Sequence, residues 1–371
     1  MKITFVDAKC PRAYDSEVLR TRGLGGTEAS VIRVAQALAE NHDVTVIQHN
    51  REQPSIESAR LRFLPLASLE DAVRDAQHVV LVQKTRLLRR IVRHSPARLW
   101  VWLHNYLKDE VRFDWSAYLR HRIGIICVSR THSQHTREYI RRFPLNRMLG
   151  GILGRGGVLY QYNPLAEACV PPAQVNRDPC KLISLSSPHK GLDQVVEAFR
   201  AVHAANPGMK LYVADPGYKH ADPTLLDAPG IVKLGSLPQA ALMEHVKDAL
   251  CVFYPQRKQA ETFGLVYAEA NAVGTPVLAH DFGSAREILA PANPPLDAGD
   301  AALVTRTVQR WSAEGGPVVA PDPRFALHNV AAQWESFFAD PDRFMAGQAE
   351  AAHPPAHPMD FETDSHSLQG T

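Results

Sequence analysis

Short apolar runs alternate with stretches of helical period from one end of the chain to the other. In the first half, runs at 3–7, 44–48, 78–83, 99–104 and 123–129 predict strands. Between them, 27–41, 69–75, 86–94 and 133–142 space their apolar residues as helices do. Strand, helix, strand in repetition predicts parallel sheets covered on both faces. Such sheets bind ligands in the crevice beyond the carboxyl ends of their strands. Residues 164–180 break the rhythm with four prolines and no strong period, which reads as a linker. The alternation restarts at 182–185, 211–215, 232–234, 250–254 and 276–280. The expected organisation is α/β, with one Rossmann-like domain over 1–165, a linker over 166–180 and a second domain over 181–324, the two facing across a cleft. A last helical segment over 325–346 has its apolar positions at 330–338 and stops or kinks ahead of Pro341. The stretch 347–371 is rich in His, Pro and Ser and is expected to be disordered, with His353 and His357 solvated rather than holding metal.

Composition narrows the class. Of 371 residues, 45% are apolar and 22% charged, which excludes a wholly disordered or fibrous chain. The net charge of +2 hides an asymmetry: residues 1–170 hold 26 Lys and Arg against 16 Asp and Glu, the remainder 15 against 23. A basic front and an acidic back are expected to meet different partners. No apolar run approaches the roughly 20 residues that span a bilayer. MKITFVDAKC reads as a strand, without the features of a signal peptide. The cysteines, Cys10, Cys127, Cys169, Cys180 and Cys251, form no C-x-x-C pair, which fits reduced thiols in a cytoplasmic setting. The arginine-rich segment 86–94 is by default a surface helix. Its charge leaves room for peripheral contact with an anionic membrane at its inner face. Nucleic acid fits poorly, since aromatic residues are not interleaved with the basic ones.

The chemistry concentrates in residues 253–288, FYPQRKQAETFGLVYAEANAVGTPVLAHDFGSAREI. A strand ends at Tyr254-Pro255, a polar loop follows, and a helix begins near Thr262-Phe263-Gly264. That helix is apolar nearly all round, the mark of burial, and Glu269 is its one charge after the start. A buried carboxylate without donors costs several kcal/mol, so Glu269 needs partners, which sugar or ribose hydroxyls can supply. Glu261 precedes the helix, at the positive end of its dipole. The N–H groups of Phe263, Gly264 and Leu265 can receive anionic oxygens, and Gly264 lets a ligand approach the backbone. A purely structural reading stands beside this one: Glu261 caps the helix and Glu269 bonds a neighbouring loop.

Two glutamates with seven residues between them, then Gly-Thr-Pro-Val, resemble the donor-site signature of retaining GT-B glycosyltransferases, particularly glycosyltransferase family 4. Ser186-Ser187-Pro188-His189-Lys190-Gly191 resembles that family's basic phosphate loop. Gly23-Leu24-Gly25-Gly26-Thr27-Glu28 resembles its glycine loop. The order of motifs fits to about residue 345. One departure stands out. The family usually has an arginine five positions before the loop lysine, and this chain has Leu185. Arg257 and Lys258 are candidates for the missing cation.

The resemblance implies a GT-B fold whose final helix returns to the first domain. It also implies transfer of a hexosyl group from a nucleoside-diphosphate sugar to a glycan or lipid-linked acceptor with retention, in bacterial surface polysaccharide or lipopolysaccharide synthesis. Lys190 and the helix start would hold the diphosphate, Glu261 the transferred sugar and Glu269 the ribose. No cofactor and no metal are expected. Gly235 and Ser187 join the donor contacts, and loops 235–238 and 257–260 would choose base and sugar.

The backbone at Gly25, Gly26 and Thr27 approaches a phosphate or acceptor across the cleft, or else Thr27 simply caps a helix. His104 ends the strand at 99–104 and is the third catalytic candidate, placed to bond a sugar hydroxyl or the leaving phosphate. The alternatives are a GT-B epimerase or phosphorylase, or a catalytically silent binding subunit, which Leu185 favours. A dehydrogenase is disfavoured because fifteen residues separate Asp7 from Gly23, where a dinucleotide fingerprint follows its strand directly. No G-x-x-x-x-G-K-[S/T] sequence occurs.

Overall fold

Strands covered by helices on both faces must bury nearly every residue, and the five central strands of the first sheet do. A computed structural model describes residues 1–83, 85, 87–107, 118, 120–142, 157–174, 176–215 and 223–350. The first domain contains β1 (Lys2–Asp7), α1 (Ser16–Thr21), α2 (Gly26–Ala39), β2 (Asp43–Gln48), β3 (Ser55–Ile56), β4 (Leu61–Pro65), α3 (Leu69–Arg74), β5 (His78–Val82), α4 (Leu88–His94), β6 (Arg98–Trp102), β7 (Gly124–Cys127), α5 (Arg130–Arg141) and β8 (Val158–Tyr160). Its sheet runs β3-β4-β2-β1-β5-β6-β7-β8, parallel except for β3.

The second domain contains β9 (Asp178–Ser184), α6 (Leu192–Ala205), β10 (Lys210–Asp215), β11 (Ile231–Ser236), α7 (Gln239–Lys247), β12 (Ala249–Tyr254), α8 (Leu265–Ala272), β13 (Val277–Ala279), α9 (Ala285–Ile288) and α10 (Ala301–Glu314). Its sheet is β11-β10-β9-β12-β13, with every pairing parallel. Because the strand order reverses at β9 and β12, the loops leaving these two neighbours open side by side into the crevice.

The chain then comes back. α11 (Leu327–Ala339) and α12 (Pro341–Glu350) pack on the first sheet. Trp334 is fully buried, its ring 4.9 Å from that of Trp102 and 6.0 Å from that of Phe5, while Phe337 stands 4.6 Å from Trp100. Gln348 bonds both the N–H and the carbonyl of Tyr160 on the edge strand. At the seam between domains, Phe325 meets Tyr162 at 5.0 Å and Phe263 at 5.1 Å. Such edge-on aromatic contacts fix orientation as well as burying area.

The structure departs from the sequence pattern in a few places. β9 begins at Asp178, inside the expected linker, because its first residue already pairs with Ala249 of β12 while still exposed. β3, β4 and β8 were not expected: β3 is two residues long, β4 is interrupted by Arg62, and β8 has three residues. Pro341 starts a helix at its first turn, where a missing N–H costs nothing, so helix continues to Glu350 past the expected start of the tail. Residues 351–371, with His353 and His357, lie outside the described residues, as does Arg86. Among the described residues no helix is long and apolar enough to cross a membrane, and no group of His, Cys, Asp and Glu is arranged to hold a metal.

Replacing Trp334 by alanine removes the ring that joins the returning helix to the first sheet. The expected loss is about 3–5 kcal/mol, the scale for a fully buried aromatic. Urea titration of the purified variant checks it, and a loss near zero would mean that the return segment contributes little to the first domain.

Candidate active site

Lys190 and Glu261 are seventy-one residues apart, yet they meet because β9 and β12 are adjacent and each ends in one of their loops. The Lys190 ammonium donates to Glu261 Oε1 at 2.8 Å and Oε2 at 3.0 Å. Tyr254, the last residue of β12, donates its hydroxyl to the same Oε1 at 2.9 Å and accepts from the Ser186 hydroxyl at 3.1 Å. Glu261 is 7% exposed. A carboxylate so buried is tolerable only with a cation and donors around it, and here it has both. Burial first, then the charge of Glu261, pushes the hydroxyls of Tyr254 and Tyr267 well above the usual tyrosine range, so both stay protonated. Glu261 does not cap the helix, since its side chain turns to Lys190 and Tyr254.

α8 starts immediately beyond. Its cap is Gly264, in the left-handed region at φ 80°, where a side-chain Cβ would also lie 2.4 Å from the Tyr267 ring. No capping side chain closes this end, which leaves the N–H groups of Phe263, Gly264 and Leu265 at the positive end of the helix. The loop before it is held by the first domain. Thr262 donates its hydroxyl to the His104 carbonyl at 2.8 Å, and its carbonyl accepts from Ser129 at 2.5 Å. The Tyr106 hydroxyl donates to the Glu261 carbonyl at 3.2 Å. From the other side the glycine loop comes so near that a Cβ on Gly26 would stand 2.8 Å from Leu265 Cδ1. A side chain there would push the end of Leu265 aside.

His104 is 8% exposed, and among the described residues its Nε2 has no hydrogen-bond partner. Burial pushes its imidazole down to about 3, so the ring is neutral at physiological pH. A neutral imidazole suits a sugar hydroxyl better than an anionic phosphate.

Glu269 finds protein donors from two directions. Gln239 Nε2 donates to its Oε1 at 2.6 Å, and Arg33 Nη1 lies 3.8 Å from the same oxygen. Burial raises this carboxyl, while Arg33 and then Gln239 pull it back. The remaining candidates are arranged around this centre. Ser187 is buried and bonds the His189 ring at 2.8 Å. The 256–258 loop rests on the first turn of α6: the Arg257 N–H donates to Gln194 at 2.7 Å, and Lys258 pairs with Asp193 at 3.7 Å. A Cβ on Gly191, the residue after Lys190, would touch this loop at Gln256 Cβ, 2.9 Å away. Arg257 and Lys258 are thus carried beside the Lys190 loop with exposed side chains. Gly235 sits at φ 68° with nothing within 4 Å of a Cβ. Gly25 is the cap of α2, and Thr27 is not; the Thr27 hydroxyl instead accepts from Gln83 at 3.1 Å.

Sequence reasoning missed Thr262, Tyr254, Arg33, Gln239 and Glu287. Glu287 reaches across the seam and caps α5: its oxygens accept from the Arg130 N–H at 2.9 Å, the Thr131 N–H at 2.7 Å and the Tyr162 hydroxyl at 2.8 Å. Arg33 and Glu269 shared a readable signal. Glu269 is the single charge of α8 and Arg33 the single cation of α2, set among buried apolar residues, and opposite charges so placed invite pairing.

Residues 183–310 match the family described as glycosyl transferases group 1, a span that contains every second-domain candidate named above. Comparison with curated protein sequences finds no match. Among solved structures, the chain is similar to AviGT4, a glycosyltransferase involved in avilamycin A biosynthesis, with 17% identity, a TM-score of 0.61, and 93% of this chain and 98% of that one covered. It is similar to the sucrose-phosphate synthase of Thermosynechococcus elongatus, with 14% identity, a TM-score of 0.62, and 95% and 100% covered. It is also similar to HepE of Anabaena, solved in complex with UDP-glucose, with 14% identity, a TM-score of 0.59, and 95% and 100% covered. The fold is therefore GT-B, two parallel-sheet α/β domains of the kind these glycosyltransferase structures have.

Burial also pushes His132 down to about 3 and His78 to about 4. Below pH 6.5 the unfolded chain binds protons that these three histidines refuse when folded, so their contribution to stability falls as pH drops through that value. The slope approaches about 1.4 kcal/mol per pH unit for each histidine at the acid end. Asp7, Glu28 and Glu269, whose carboxyls burial pushes up, act in the opposite sense. Denaturant titration at pH 7.5 and 5.5, for the natural protein and His104→Phe, isolates the imidazole. The variant is expected to lose less stability on acidification, and equal losses would contradict neutral burial of His104.

Proposed function

We propose that the protein transfers a hexosyl group from a nucleoside-diphosphate sugar to a hydroxyl of a glycan or lipid-linked acceptor, with retention at the anomeric carbon. The observation that carries this reading is the meeting of Lys190, Glu261 and the uncapped start of α8 in the crevice, facing His104 and the glycine loop. The match of 183–310 to glycosyl transferases group 1 supports it, and HepE is a neighbour solved with UDP-glucose.

In this reading, the diphosphate takes the Lys190 ammonium and the N–H groups at Phe263–Leu265. These fixed positive groups stabilise the charge that grows on the leaving oxygen, and they cost no reorganisation as the bond breaks. Lys190 exchanges a carboxylate partner for a phosphate, which frees Glu261 to accept from the hydroxyls of the transferred sugar. The bond from the anomeric carbon to the β-phosphate oxygen breaks, and its electron pair leaves with the nucleoside diphosphate. The acceptor oxygen bonds the anomeric carbon on the same face, and its proton passes to the departing phosphate oxygen. Neutral His104 bonds a hydroxyl of the sugar. Glu269, with an oxygen still open, takes the ribose. Arg257 and Lys258 supply the cationic surroundings that Leu185 cannot. Helix ends and ammonium groups take the part that a metal plays elsewhere, and the basic first domain is the side for an anionic acceptor or membrane surface.

Thermal shift with UDP-, GDP- and ADP-sugars identifies the donor, since a ligand bound only by the folded state raises its melting point. With that donor, Glu261→Gln and Lys190→Ala are each expected to lower transfer about 10²-fold or more. EDTA is expected to leave the rate unchanged. Proton NMR of the product should show the donor's anomeric configuration. Near-natural turnover in both variants would remove the site assignment, and an inverted product would remove the retaining mechanism.

A further inference from the structure

α2 is an apolar helix with one cation on its buried side. Arg33 stands among Val31, Ile32, Val34 and Ala35 and is 4% exposed. Its guanidinium does not face its own domain's core. Nη1 donates to the carbonyl of Pro164, where the first domain gives way to the linker, at 3.1 Å, and Nη2 donates to Gln239 Oε1 at 2.6 Å. The Gln239 amide passes the contact on, its Nε2 donating to Glu269 Oε1 at 2.6 Å. The direction of this relay is forced. Turning the amide over would set its NH₂ against a guanidinium and its oxygen against a carboxylate, so cation, amide and carboxylate order one another. Both contacts fall on the same oxygen of Glu269. Among the described residues the other, Oε2, takes no hydrogen bond, which leaves it for a ligand.

We propose that Arg33, carried by the first domain, is a positioning residue for the nucleotide bound in the second: through Gln239 it fixes the Glu269 carboxylate that receives the ribose hydroxyls. This rests on the reading of Glu269 as the ribose contact. The consequence is a link between closure and donor binding. α2 is one rigid rod whose first turn touches Leu265 through Gly26 and whose second turn carries Arg33. Opening the cleft withdraws both together and leaves Glu269 in an apolar helix without its cation, a costly state. The ribose is therefore gripped in the closed arrangement, where the glycine loop also faces the crevice.

Calorimetric titration of the full-length protein with UDP and with 2′,3′-dideoxy-UDP tests this, with the guanosine or adenosine pair used instead should thermal shift select that base. Arg33→Met is expected to weaken UDP about tenfold, the scale of one hydrogen bond to a charged group. It should leave the dideoxy ligand nearly unchanged, because that ligand has no hydroxyls for Glu269 to hold. Arg33→Lys should recover part of the loss. Arg33→Met combined with Glu269→Gln should lose no more than Glu269→Gln alone. Gln239→Met, which breaks the relay and keeps the cation, should show the same selective loss and serves if Arg33→Met does not fold. Equal weakening of both ligands, or none, overturns the proposal and reduces Arg33 to an ordinary interdomain contact. A natural protein that binds none of the three nucleotides overturns the functional reading itself. Selective loss in Glu269→Gln with Arg33→Met unaffected overturns only the role of Arg33.

Discussion

A carboxylate cannot be left alone where water is excluded, and three of them lie buried between residues 261 and 287. Each is satisfied from a different place. Glu261 is held within its own domain by Lys190 and Tyr254. Glu269 draws on Gln239 beside it and on Arg33 from the first domain. Glu287 relies almost wholly on the first domain, through the start of α5 and Tyr162. Two of the three therefore bind the domains to each other, because separating them would strand a charge. The third pairs with a lysine that an anionic ligand can claim. The seam and the site are one electrostatic problem with three solutions.

The same constraint explains why the loop before α8 is so closely held. Thr262 is clamped between His104 and Ser129, and its neighbour Glu261 takes Tyr106 on its carbonyl. None of these contacts uses the Glu261 side chain or the first N–H groups of α8. The first domain thus fixes the backbone and leaves the Glu261 side chain and those N–H groups out of its contacts. Rigid support behind an open first turn is what electrostatic stabilisation of a leaving group needs, since the donors must already point where charge will develop.

Much of this was legible in the chain. Alternating apolar runs gave parallel sheets, and the four prolines of 164–180 marked the passage between them. The pairing of β9 with β12 then brought Lys190 to Glu261, as two loops at adjacent carboxyl edges must come. What escaped was whatever depends on the two domains touching. Glu287 looks like an ordinary polar residue of a short helix until α5 is set against it. Tyr254 looks like the apolar end of a buried strand, yet its hydroxyl completes the Glu261 site. Short elements also escaped, because β3 and β8 are too brief to show a period. At Pro341 the helix stops as expected, with α11 ending at Ala339, but the proline also opens α12, whose last residues run into the stretch expected to be tail.

The central claim is that Lys190 changes partner, from the Glu261 carboxylate to the diphosphate of a bound donor. A crystal structure of the protein with a hydrolysis-resistant analogue of its nucleoside-diphosphate sugar tests that directly. The account predicts β-phosphate oxygens within hydrogen-bond distance of Lys190 Nζ and of the α8 N–H groups, with Glu261 turned to the sugar. An occupied nucleotide site in which Lys190 still holds Glu261, and the diphosphate rests elsewhere, would contradict it.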